Sequence, residues 1–206
     1  MPAYVRPPIP KLVFRDEFGE VIHYGERWGG NQPPDWAYSK DEHPERFAPL
    51  VGLAEALIAY LHETYLVDVV EDETKPLPPH TARRVRVVPA DPNATPLDFT
   101  FTTYPIVTVD AGFGAEYGWF CGCDACDESV EAWVEEIEKA VFSIIAGGLS
   151  EFTTIEEDGD VFVRHELKDT DGEFWQGGGT SLDFASEDVK AKLERLPITW
   201  AAWELR

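Results

Sequence analysis

Apolar residues recur at helical spacing in two stretches of the chain. In "PLVGLAEALIAYLHETY", Leu50, Val51, Ala54, Leu57, Ile58, Leu61 and Tyr65 follow the i, i+3, i+4, i+7 rule and predict a helix over 49–65. Pro49 belongs in its first turn, where the missing N–H costs nothing. Pro44 stands five residues earlier and makes "HPERFA" a separate turn leading in. Val130, Trp133, Val134, Ile137, Val141, Ile144 and Ile145 form a second stripe, for a helix over 127–147 that Gly147 and Gly148 stop. Asp124 or Asp127 can cap its start.

Elsewhere the period is two. "LVDVV" (66–70) and "RRVRVV" (83–88) read as strands, the latter with arginines outward and valines inward. "LDFTFTTYPIVTVDAG" (97–112) is a long β stretch that Pro105 should interrupt. "EFTTIEEDGDVFVRHEL" predicts a hairpin closed by Asp158-Gly159 in a two-residue type I′ turn. After it come a loop at "QGGGTSLDF", a short helix at "SEDVKAKLERL" capped by Ser186, and a final strand at "PITWAAWEL". Hairpins with two long helices do not make a repeated βαβ series. The expected fold is α+β: a mainly antiparallel twisted sheet with both long helices on one face.

Proline use sets the N-terminus apart, with eight of sixteen prolines in residues 1–49. Residues 1–42 are expected to be an extended arm wrapping a single 1–206 domain, with Trp28, Trp36 and Tyr38 as anchors. Within it "KLVFRDEFGEVIHYGERW" reads as two short strands about a turn near Gly19.

Charge narrows the partners. Seventeen basic against thirty-nine acidic residues give −22. That field opposes nucleic acid and anionic membranes. It suits a well-solvated surface, or an acidic face that docks on a basic protein as an inhibitor or immunity protein does. No signal-peptide core and no apolar run of membrane-spanning length stands in the sequence, so the expected compartment is the cytoplasm, where thiols stay reduced.

All three cysteines lie in "CGCDAC": Cys121, Cys123 and Cys126, just before the second helix. A helix start favours thiolate, the form that binds metal or attacks electrophiles. Zinc takes four N/S ligands, and C-x-C-x-x-C offers three. His43 is the leading candidate for the fourth, followed by His23, His165, His80 and His62. Two alternatives stand beside zinc: a redox pair of Cys123 and Cys126, and three inert small side chains in a tight turn. Other motifs carry less. "DTDGEF" (169–174) begins like a calcium loop but lacks the later ligands. "GGG" (177–179) precedes no helix, and Arg83, Arg84 and Arg86 have many carboxylates to pair with. No hydrolase elbow, zincin or P-loop motif is present.

The blocks "VFRDEFGEVIHYGERWGG", "HPERFAPL" and "CGCDACDE" together resemble an actinobacterial family of proteins of unknown function. The resemblance implies a bacterial cytoplasmic protein and brings no activity. The functional expectation is a non-enzymatic binding protein with a structural or regulatory metal site at the cysteine loop. A thiol redox enzyme or sensor is the first alternative and an acidic inhibitor the second.

Overall fold

The computed structural model describes residues 3–71, 80–118, 121–181 and 195–206. Both helices form where the apolar stripes put them: α1 at Pro49–Thr64 and α2 at Val130–Ile145. Leu57 and Ile137 are fully buried. One stripe position differs. Val51 faces solvent, and Leu53 turns inward in its place. The two positions stand about 200° apart on the helical wheel, at opposite edges of the stripe, and packing covers the edge that holds Leu53.

The fold is α+β, with antiparallel pairing throughout the described strands. Those strands divide into three sheets rather than one. A small hairpin pairs β1 (Phe14–Arg15) with β2 (Val21–Ile22) about Gly19. A five-stranded meander runs β3 (Val67–Glu71), β4 (Thr81–Pro89), β5 (Leu97–Thr102), β6 (Val107–Ala111) and β7 (Ala115–Tyr117) in chain order. Pro105 falls in the turn between β5 and β6, as its missing N–H requires. The third sheet has β8 (Leu149–Ile155), β9 (Val161–Lys168), β10 (Phe174–Ser181) and β11 (Ile198–Thr199) in the order β10-β9-β8-β11.

The helices pack on each other and on the meander, α1 against β3, β4 and β6 and α2 against β6 and β7; α2 also reaches β9. The core between them holds Leu50, Leu57, Leu61, Val85, Val87, Phe99, Val109, Ile137 and Ile144, joined by Trp200 and Trp203 from the C-terminal segment.

Three local expectations are corrected. The β8–β9 hairpin is not a two-residue type I′ turn. Glu156 N–H donates to the Asp160 carbonyl and Gly159 N–H to the Glu156 carbonyl, and only Gly159 has positive φ. A type I′ turn needs positive φ at both central residues. The glycines 177–179 are strand, not loop. Gly178 pairs with His165, whose ring lies where a Cβ would stand, 2.8 Å away at Cε1. The final strand shrinks to β11. Beyond it the chain is stitched bond by bond to other elements, with Trp200 N–H on the Leu149 carbonyl and Trp203 N–H on the Ile145 carbonyl. Most of the short helix expected at 186–196 lies outside the described residues.

Candidate metal centre

The cysteine loop is built from the arm as much as from α2. Gly122 has φ +72°, and a Cβ there would meet the Tyr104 hydroxyl at 2.9 Å. This position therefore requires glycine. Glu128 reaches back to accept the Gly122 N–H at 2.9 Å. Ser129, not Asp124 or Asp127, caps α2 by accepting the Ala132 N–H. The two aspartates bind the arm instead. Asp124, fully buried, pairs with the Arg27 guanidinium at 3.3 Å and accepts the Glu42 N–H. Asp127 accepts the Arg27 N–H at 2.7 Å. Backbone bonds close the seam: Asp124 N–H to the Lys40 carbonyl, Ala125 N–H to the Ala37 carbonyl, and the Trp28 indole N–H to the Asp124 carbonyl.

Arg46 locks the loop from below. It is only 2% exposed, with its guanidinium over Tyr24 at 4.1 Å and Phe47 at 4.2 Å. It donates to the Gly122 and His43 carbonyls, both at 2.9 Å. Of the three expected anchors in the arm, Trp28 packs with Ala37 against the cysteine loop, while Trp36 and Tyr38 remain exposed.

On this frame the three sulfurs gather. Cys121, Cys123 and Cys126 are free thiols with all Sγ atoms within 4.8 Å of one another. Cys123 and Cys126 are 3.5 Å apart. Tetrahedral Zn–S bonds of about 2.3 Å imply S···S near ~3.8 Å, so small side-chain adjustments suffice to hold an ion. Burial opposes the Cys123 thiolate. Hydrogen bonds from Cys121 and from the Cys126 and Ala125 backbones outweigh it, and the thiol falls below its ordinary range. Cys126 is pushed up to about 12 by burial, by its hydrogen bond to Cys123 and by the adjacent sulfur charges. Cys123 and Cys126 thus shift in opposite directions across their shared contact, and a cation bound there would displace thiol protons.

The histidines stay apart from the sulfurs. His43 binds Glu45 through Nδ1 at 2.9 Å and the Arg15 carbonyl through Nε2 at 3.0 Å. Burial works against its charged form, but these partners win and raise its pKa. His23 is exposed on the hairpin, His62 on α1 and His80 at the entry to β4. His165 lies beside Tyr117 in the third sheet. The other motifs resolve as structure. Arg83 pairs with Glu71 and Glu55, Arg86 with Asp98, and 169–174 is the β9–β10 turn, where Asp169 accepts the Asp171 and Glu173 N–H groups.

A family model for a family of unknown function (DUF6226) matches residues 10–206. The chain belongs to that family. For this DUF6226 member no curated protein and no solved structure gives a match. Function is therefore argued from the site. Sequence reasoning found the cysteines of this DUF6226 member, named Asp124 only as a helix cap, and missed Arg27, Arg46 and Glu128. Among these only Arg46 gave a signal, as a lone cation in the short apolar turn "PERFAPL".

Proposed function

We propose that the chain is a non-enzymatic binding protein whose Cys121, Cys123 and Cys126 hold a zinc ion of structural or regulatory role. The observation that supports this is the convergence of three free sulfurs within 4.8 Å on a loop fixed by Arg46 and Asp124. Thiolates select soft or borderline ions, zinc among them. For His43 to complete the set, its ring would have to give up Glu45 and the Arg15 carbonyl. Three free thiols, two of them exposed, suit a reducing compartment, and a cytoplasmic location goes with this reading. Among the described residues no helix is long and apolar enough to cross a membrane.

The test is elemental analysis of protein purified without a His-tag, beside a thiol titration. One zinc per chain is expected, with the three thiols protected until a chelator is added. Chelation should loosen residues 121–128 while the core holds, because a chain of this length buries enough surface without a metal. Metal-free protein that takes up no added zinc and shows three freely titrating thiols ends the proposal.

The 3.5 Å Cys123–Cys126 separation supports a second reading, a dithiol that closes to a disulfide. Reversible loss of two thiols on mild oxidation, with no metal taken up, favours that reading over zinc.

A further inference from the structure

We propose that the fourth coordination position of this metal centre is filled from outside the chain, by a neutral nitrogen donor of the imidazole type. The inference rests on the metal reading above and adds the identity of the missing ligand.

Protein zinc centres divide by their fourth position. Closed structural sites take four protein ligands, whereas open sites take three and leave the last to water or an incoming group. Among the described residues, no histidine, aspartate or glutamate places a ligand atom with the three sulfurs. His43, the histidine closest to the loop in the bonding pattern, has both ring nitrogens engaged. Asp124 and Asp127 are turned toward Arg27 and Glu42. The described residues thus contribute a three-sulfur face.

That face is reachable. Cys121 and Cys126 are exposed while Cys123 is buried, so one edge of the triangle looks outward. Cys126 and Asp127 border an open groove of about 610 Å³ whose other wall includes Gly25, Gly29 and Gly30. A cleft of roughly 300–1,000 Å³ is the ordinary size for small-ligand recognition. Gly25, Gly29 and Gly30 leave gaps on that wall between Glu26, Trp28, Asn31 and Pro33, and the groove stays open to solvent.

Charge then selects the donor. Three thiolates on a divalent ion sum to −1. Glu26 and Asp127 stand in the same groove, and the whole chain carries −22. A fourth thiolate or a carboxylate would bring another negative charge into that field, where like charges repel. A neutral imidazole adds none, and imidazole nitrogen is a favoured zinc donor. Its source is either a free imidazole compound or a histidine carried by another chain.

Cobalt(II), which replaces zinc and is coloured, reads the site directly. The full untagged, reduced chain is loaded with one equivalent of cobalt. A thiolate-to-cobalt charge-transfer band is expected at the intensity of three sulfurs. Adding imidazole should shift the d–d bands to saturation while the charge-transfer band keeps its intensity. Thiocyanate, an anion, should need a higher concentration for any shift. A histidine-bearing peptide should act at lower concentration than free imidazole if a partner chain is the source, and no better if it is not. No charge-transfer band at all defeats the metal reading itself. A three-sulfur band whose d–d region ignores imidazole leaves the metal reading standing and overturns this one. The His43→Gln variant should respond as the parent does. A shift in H43Q alone would mean that His43 already fills the position, which also overturns the proposal.

Discussion

Asp110 sits between two other carboxylates on adjacent strands, with Asp98 and Glu116 as its register partners. Burial first, then the Glu116 and Asp98 charges, push its pKa from 3.8 up to about 7. The folded state therefore holds this proton more tightly than the unfolded chain does. Stability from Asp110 is fully present below about pH 4 and is lost as pH rises through about 7. Asp110→Asn removes the titration. Its melting temperature should exceed the parent's by more at pH 8 than at pH 5, and parallel pH profiles for the two proteins would refute the assignment. None of this was legible beforehand, because pairing across β5, β6 and β7 depends on register. The cysteines were legible because their ligand geometry is local, spanning six positions. Arg46 was not: the Gly122 carbonyl it binds is 76 residues away.

Elements were easier to read where one period dominates. The α2 stripe survives intact, with Val134, Ile137, Val141 and Ile144 all buried. On α1 Val51 and Leu53 flank opposite edges of the stripe, and only the Leu53 edge is covered. Two substitutions separate these cases. Ile137→Ala should cost about 2–5 kcal/mol by leaving a cavity. Val51→Ala should stay within about 0.5 kcal/mol, since the side chain is largely in water. Chemical denaturation measures both, and equal losses would mean that the stripe assignment on α1 is wrong. Turn chemistry was harder. Asp16–Glu20 and Asp169–Glu173 share one design, in which the first aspartate accepts two backbone N–H groups and a glycine takes positive φ at the fourth position. Glu156–Asp160 has the same backbone pattern, with Gly159 at positive φ. A D-G pair alone suggests a tighter turn, and it is the bond from the first residue's N–H to the fifth residue's carbonyl that distinguishes them.

At the scale of the molecule, charge and topology separate. The α+β class followed from element order, but the partition into three sheets did not, because α2 intervenes between β7 and β8 and hairpin patterns do not say which hairpins join edges. Charge needed no structure. At −22, with Arg83, Arg86 and Arg164 already paired to carboxylates, the described surface offers few cations for phosphate. Gel-shift assays at physiological salt should show no DNA binding, and tight, salt-sensitive retardation would contradict this.

The seam between arm and cysteine loop also sets a timetable. Trp28 leaves the ribosome 96 residues before Asp124, the residue whose carbonyl its indole binds. At about 5–20 residues per second, that gap lasts roughly 5–20 s. Throughout it Arg27 and Trp28, and Arg46 once made, have no loop to close on, and each forms its loop bonds only when that segment has been made. The first quarter of the chain thus waits for a loop made in its second half. The bonds that dock Arg27, Trp28 and Arg46 are also bonds that hold the three-sulfur loop in place, so neither side of the seam is complete before the other.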